Sequence, residues 1–336
     1  MPDISKILPL SLEQYHAQNL KGVQLPVACS FSAQAFTFDE KASVDNITQN
    51  KLELVVFQQL TLAQILALQN KVKLEIRALN TINHRNNQTS YRFQVHCADF
   101  IASRTALAEF TLVNNIEAAL LSQVPTLSEP GLLVMDMDST TIEIECIDEI
   151  AKIAGVGKEV AELTERAMLG ELDFAQSLHQ RVATLANSPE SILSEVAKNI
   201  PLMAGLMPLI AELKQHNWKI AIASGGFTYF ADHLKDTLDL DATFANTLEI
   251  IDGKLTGKVL GNVVDAQVKA DSLAILSKRY AIPARQTVAM GDGANDLVMM
   301  AAAHFGVAFH AKPIVLAQAD SSINKQGLDC LLHWLA

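Results

Sequence analysis

The sequence is short of cysteine, of positive charge and of long apolar runs. Its four cysteines, Cys29, Cys97, Cys146 and Cys330, are scattered without metal-ligand spacing. That excludes a zinc-ribbon or disulfide-stapled scaffold and reads as reduced, mostly buried thiols of a cytoplasmic protein. Lys and Arg number 26 against 37 Asp and Glu, giving a formal net charge of −11. Such a balance argues against nucleic-acid or anionic-membrane partners, so an anionic substrate must be drawn by local positive groups. No run approaches the roughly 18 apolar residues of a membrane span. The start, Met-Pro-Asp-Ile-Ser-Lys, lacks the apolar core of a secretory signal. No internal repeat or low-complexity stretch stands out. A soluble, cytoplasmic protein is expected.

What the chain does have is apolar substance. Hydrophobic residues make up 49% of its 336 positions, enough for a sizeable core and two domains. The stretch around which the rest is organised is Leu132-Leu-Val-Met-Asp136-Met-Asp138. A short apolar run ending in polar residues reads as a buried strand of a parallel sheet. Ligands of open α/β sheets bind beyond the carboxyl ends of such strands. Alternate residues of an extended chain point the same way, so Asp136 and Asp138 can face one site. Two further runs end likewise. Ile220–Ala223 leads into Ser224-Gly225-Gly226, and Thr287–Met290 leads into Gly291-Asp292-Gly-Ala-Asn295-Asp296. Lys269 lies between them, near the start of a helix-like segment.

The remaining order is consistent with two units. Ala33–Phe38 alternates like a strand. Leu52–Phe57, Val72–Ile82, Tyr91–Cys97 and Ile116–Leu121 read as strands, with helices at Thr61–Asn70 and Phe100–Asn114 and a polar loop over 84–90. This β-α-β-β-α-β order is that of a ferredoxin-like sandwich and is similar to ACT-type modules. Residues 1–125 are therefore expected to form an α+β domain with a regulatory or dimerising role. The stretch 124–130, with two prolines, is the linker. Residues 126–336 resume α/β alternation, interrupted at about 156–204 by helical patterning at Glu159–Leu169, Phe174–Leu185 and Pro189–Asn199, with a break at Gly170. A helical insert after the first sheet strand reads as a cap that excludes water. A hairpin turns at Asp252-Gly253.

Asp136-x-Asp138-x-Thr140, Ser224, Lys269 and Gly291-Asp-Gly-x-Asn-Asp296 together resemble the haloacid dehalogenase-like phosphatase superfamily. That resemblance implies a Rossmann-like core with a mostly parallel sheet. It also implies Asp136 as nucleophile, Asp138 as general acid and base, and Mg²⁺ held by Asp136, the Asp138 carbonyl and Asp292. An all-oxygen shell of this kind suits Mg²⁺. Ser224, Gly225 and Gly226 would bind phosphate at a helix start, and Lys269 would neutralise charge. Asn295 would order the phosphate side, and Asp296 would orient the metal shell through water. Taken singly, Lys269 reads as a surface lysine and Asn295 and Asp296 as helix caps.

Residues 131–336 resemble the phosphoserine phosphatase family within that superfamily. The matching stretches are Glu145-Cys-Ile-Asp-Glu-Ile-Ala151 and Glu165-Arg-Ala-Met168 through Phe174 to Arg181-Val182. The resemblance implies that Arg181 holds the carboxylate of O-phosphoserine and Glu145 its ammonium, with Met168 and Phe174 as apolar lid positions. An amino-acid zwitterion needs one fixed cation and one fixed anion, and the Arg fork suits a carboxylate. Taken singly these read as solvated charges and core residues. Met137 departs from the Phe of many relatives, a modest apolar change. The implied activity is Mg²⁺-dependent hydrolysis of O-phosphoserine, completing serine synthesis. Its nearest competitor is another small phosphomonoester, such as homoserine phosphate. An idle amino-acid sensor is disfavoured by the intact acid and lysine set. A small-molecule substrate is expected, and the pattern is compatible with a homodimer.

Overall fold

The computed structural model describes residues 4–32, 35–40, 52–169 and 171–336. They form two sheets. The first has six strands in the order Phe36–Asp39, Val27–Phe31, Leu74–Arg85, Gln88–Cys97, Leu52–Phe57, Ala118–Ser122, each antiparallel to its neighbour. Its last four strands, with the helices Leu62–Val72 and Phe100–Asn114, have the connectivity of a ferredoxin-like sandwich.

Several boundaries in this layer differ from those expected. Val27–Phe31 and the helix Leu12–Asn19 carry no strong sequence pattern; the helix begins with a capping box between Ser11 and Gln14. Ala33 and Gln34 of the expected first strand, and Gly170 of the cap, lie outside the described residues. The polar stretch 84–90 is no loop. The strands run into it and turn at Asn86 and Asn87, whose φ values are 45° and 59°. Asn tolerates this left-handed region better than other non-glycine residues.

The second sheet places the site. Its seven strands run in the order Lys254–Leu260, Ala242–Ile251, Lys219–Phe227, Leu132–Met135, Thr287–Gly291, Phe305–Phe309, Ser321–Ile323. Every pairing is parallel except the hairpin at one edge. Leu132–Met135 is buried on both sides, as its unbroken apolar sequence requires. The chain leaves it first toward Lys219–Phe227 and later toward Thr287–Gly291, so the strand order reverses there. Such a switch point opens a crevice at the carboxyl ends of the strands. Residues 136, 224 and 292 all lie at that end.

Helices Gly157–Met168, Phe174–Thr184 and Ser191–Ala197 form the expected insert. Chain segments on its two sides meet where Glu143 N–H donates to the Pro201 carbonyl at 3.0 Å and Met203 N–H to that of Thr141 at 3.0 Å. The two sheets are packed together. Val55, Phe57, Ala119 and Leu121 of the first share one apolar cluster with Leu331, Trp334 and Leu335 at the C-terminal end. Arg92 Nη1 donates to the carbonyls of His333 at 3.1 Å and Leu335 at 2.7 Å. All four cysteines are buried and unpaired. Among the described residues no helix is long and apolar enough to cross a membrane.

Candidate active site

Asp136 follows the central strand, and its N–H still donates to the Met290 carbonyl at 2.9 Å. The chain then folds tightly. The N–H groups of Thr140, Thr141 and Ile142 all converge on the Met137 carbonyl, and Ser139 has φ +58°. Thr141 Oγ1 donates to the Asp136 carbonyl at 2.5 Å, and Thr140 Oγ1 donates to Asp292 Oδ1 at 3.3 Å. These hydroxyls fix the loop that presents both acids. Thr140 belongs to the motif and was legible there. Thr141 was missed, although a hydroxyl just after an acidic strand end is a signal for such a bond.

The carboxylates do not crowd without compensation. Asp136 Oδ1 accepts the Met137 N–H at 2.8 Å and lies 2.9 Å from Lys269 Nζ. Lys269 Nζ also donates to Asp296 Oδ1 at 2.8 Å, and Asp296 Oδ2 accepts the Gly293 N–H at 3.0 Å. Lys269 is 0% exposed. Burial alone would lower its pKa, but Asp136 and Asp296 outweigh that and hold it above its ordinary value. Asp292 is raised by burial and by the Asp136 charge. One carboxylate oxygen each from Asp136, Asp292 and Asp296 lie within 4.8 Å of one another. Three hard oxygen donors so placed fit a divalent cation of the magnesium class. Asp296 was expected at a remove, acting through water; its carboxylate lies within this cluster, with both oxygens hydrogen-bonded.

Asp138 is turned differently. Its Oδ1 accepts the Cys146 N–H at 3.2 Å, at the start of the helix Cys146–Ala154. Burial, then Glu145 and Asp136, push its pKa up to about 8. The raised value favours the protonated form of Asp138, the form required of an acid.

Opposite Asp138 is the Ser-Gly-Gly segment, where the structure corrects one expectation. The strand continues to Phe227, and the helix begins only at Thr228. Ser224, Gly225 and Gly226 thus lie on an irregular extension of the strand that leads directly into the helix N-cap, Phe227. Gly226 N–H donates to Ser224 Oγ at 2.9 Å, which leaves the hydroxyl proton of Ser224 to donate elsewhere. Gly226 must be bare. A Cβ there would lie 2.7 Å from Met137 Cε and 2.8 Å from Asp138 Oδ2.

The cap reaches the same place. Phe174 starts its helix behind an Asp173 capping box and packs over Gly225, where an added Cβ would stand 2.5 Å from Phe174 Cζ. Arg181, two turns further, is half-buried and its Nε has no hydrogen-bond partner. Burial lowers its pKa, against the charges of Asp148, Glu145 and Asp138. Glu145 is exposed at the mouth, with Oε1 accepting from Ser139 Oγ at 2.7 Å. Met168 ends the preceding helix, and its side chain lies outside the described part. Asn295 sits half-buried in the 3₁₀ turn after Asp292.

Comparison with known proteins agrees with this geometry. Residues 131–304, a little over half of the chain, match the family model of haloacid dehalogenase-like hydrolases. A phosphoserine phosphatase of Vibrio cholerae is 61% identical over 213 residues, which are 63% of this chain and 65% of that protein. One from Haemophilus influenzae is 58% identical over 228 residues, 68% of this chain and 73% of its own length. The unliganded crystal structure of a probable phosphoserine phosphatase from Vibrio cholerae superposes with a TM-score of 0.71 at 47% identity, covering 85% of this chain and 86% of that one. With the switch-point sheet, the acid cluster and the capping helices, these matches establish that the chain belongs to the haloacid dehalogenase-like hydrolase family.

Proposed function

We propose that this protein is a phosphoserine phosphatase that hydrolyses O-phospho-L-serine to serine and inorganic phosphate. The observation that carries the reading is the juxtaposition of a buried Asp136–Lys269 pair with the buried Asp138 carboxyl, beneath cap helices whose Arg181 Nε has no hydrogen-bond partner. The Vibrio cholerae and Haemophilus influenzae relatives described above are phosphoserine phosphatases, which favours the amino-acid ester over other phosphomonoesters.

In this mechanism an Asp136 oxygen attacks phosphorus and forms an acyl phosphate, while the bond from phosphorus to the serine oxygen breaks. Asp138 gives its proton to that departing oxygen. It then takes a proton from the water that attacks the acyl phosphate, releasing inorganic phosphate and restoring Asp136. Lys269 and Ser224 hold phosphate oxygens, with Gly225 and Gly226 allowing close approach and Asn295 ordering the same side. Arg181 takes the substrate carboxylate and Glu145 its ammonium, with Met168 and Phe174 closing over the methylene. Asp136, Asp292 and the Asp138 carbonyl would hold Mg²⁺, with Asp296 supporting them. That ion supplies positive charge where carboxylate and phosphate oxygens must approach. We read residues 1–125 as a separate unit serving regulation or subunit pairing, in a cytoplasmic enzyme.

The test is a panel of phosphomonoesters assayed with magnesium chloride: phosphoserine, homoserine phosphate, an aryl phosphate and a sugar phosphate. Phosphoserine should have the highest kcat/KM. A comparable value for the sugar phosphate would remove the case for an amino-acid ester.

A further inference from the structure

Asn246 carries no motif and touches none of the acids, yet its side chain joins the two elements that flank the anion site. It lies on the strand Ala242–Ile251 and is 1% exposed. That strand pairs in parallel with Lys219–Phe227, but the register breaks between Ala223 and Phe227 and resumes at Phe227 opposite Asn246. Ser224, Gly225 and Gly226 fall in the gap, where regular pairing between these strands does not hold them. The Asn246 side chain substitutes for it: Nδ2 donates to the Gly225 carbonyl at 2.8 Å. Its other end faces the opposite way, with Oδ1 accepting the Val264 N–H at 2.8 Å. Val264 precedes Asp265, whose side chain caps the helix Ala266–Arg279 by accepting the Val268 N–H at 3.0 Å. Lys269 stands in the first turns of that helix.

We infer that Asn246 is a positioning residue that fixes the Ser224–Gly226 segment relative to the Lys269 helix, so that hydroxyl and ammonium meet one phosphate group. This rests on the reading of that segment and Lys269 as the phosphate seat. The chemistry of the site selects the residue. One partly buried carbonyl needs a donor and one buried N–H needs an acceptor, from a single short side chain, and a carboxamide supplies both. Aspartate keeps only the acceptor. Leucine fills similar space and leaves both backbone groups unpaired. A seat whose two halves shift by a fraction of an ångström loses alignment with the phosphate oxygens, and binding falls more than the chemistry that follows it.

The experiment measures Asn246→Leu and Asn246→Asp in the full chain with magnesium chloride. Inorganic phosphate is the competing anion and an aryl phosphate the reporter substrate, at a temperature well below either variant's Tm. The expected result is a rise of about tenfold or more in KM and in Ki for inorganic phosphate, moving together, with a smaller fall in kcat. A lowered Tm with KM and Ki unchanged overturns the inference, because that is what a merely structural amide would do. Should the leucine variant fail to fold, the near-isosteric Asn246→Asp decides by the same two constants. Because the readout is phosphate affinity, it is separable from the substrate assignment. A wild type that binds phosphate but ignores phosphoserine would sink the proposed function and leave this test intact.

Discussion

Lys269 Nζ stands 2.9 Å from Asp136 Oδ1 with its side chain wholly buried. A lysine placed there without partners would be neutral. With Asp296 at 2.8 Å, the two carboxylates together compensate the buried charge of Lys269. Removing one partner of a buried ion pair typically costs about 3–5 kcal/mol, because the other charge is left without compensation.

Lys269→Met should therefore lower Tm and abolish most turnover at once. Asp136→Asn keeps the shape and a hydrogen-bond acceptor for Lys269, so it should abolish turnover with a much smaller loss of Tm. Thermal melts and single-turnover assays on both variants check this. A Lys269→Met protein as stable and active as the parent would remove the pair from both roles.

Asp138 gives a dependence on pH. Its carboxyl is pushed up to about 8 in the folded, metal-free protein, first by burial and then by Glu145 and Asp136. In the unfolded chain it returns to about 3.9. Between those values the folded state binds more protons, so its contribution to stability is fully present below the ordinary carboxylate range and is lost as pH rises toward about 8. The metal-free protein should melt at a lower temperature near pH 8 than near pH 5. Asp292 and Asp296 are shifted in the same direction, so Asp138→Asn should make the fall shallower without removing it. Parallel melting curves for parent and variant across that range would contradict the assignment.

Much of the site was legible because its residues are tied to strand ends. Leu132–Met135 and Thr287–Gly291 are short apolar runs that stop at an acid or at glycine, and both strands lie where those runs predict. The motif resemblance likewise singles out Asp136, Lys269 and Asp292; Lys269 pairs with Asp136, and Asp292 lies beside it. The strand before the helix Thr228–Leu238 runs on through Ser-Gly-Gly to Phe227, because glycines after an apolar run mark a strand end and an irregular extension equally well. The strand pairing through 84–90 was hidden by polar side chains on exposed positions, whereas Val27–Phe31, buried at four of five positions, is too short a run to stand out. Glu117 and Asn246 show a further limit. Their partners are Asn324–Gln326 and Gly225 with Val264, and nothing in local spacing links residues so far apart.

Glu117 makes the join between the two sheets testable. It is 4% exposed, and its carboxylate accepts the N–H groups of Asn324 at 3.0 Å, Lys325 at 2.8 Å and Gln326 at 3.2 Å. Glu117→Ala leaves three backbone donors without that acceptor, at a cost of about 1–3 kcal/mol. A Tm lowered by several degrees is expected, with kcat/KM of the folded enzyme unchanged at low temperature. Glu117→Gln retains an acceptor oxygen and should lose less. No change in either Tm would show that the clasp contributes nothing.

Arg181 separates substrate recognition from chemistry. It is half-buried on the cap helix Phe174–Thr184, its Nε lacks a partner, and the opposing charges that act on it are those of Asp148, Glu145 and Asp138. A cation kept partly desolvated and unmatched in the free protein is costly unless a ligand completes it. The carboxylate of phosphoserine is such a ligand, whereas an aryl phosphate offers nothing to that end of the pocket. Loss of a charged partner in a closed pocket costs about 2–5 kcal/mol, so Arg181→Ala should lower kcat/KM for phosphoserine by roughly 30-fold or more. In the proposed mechanism hydrolysis of the aryl phosphate needs only Asp136, Asp138, Lys269 and Ser224, so it should fall far less. If Arg181 only held the cap together, both substrates would suffer equally. If it were a solvated surface residue, neither would. A selective loss is the one outcome that supports Arg181 as the carboxylate anchor, and an equal effect on both substrates removes it from that role.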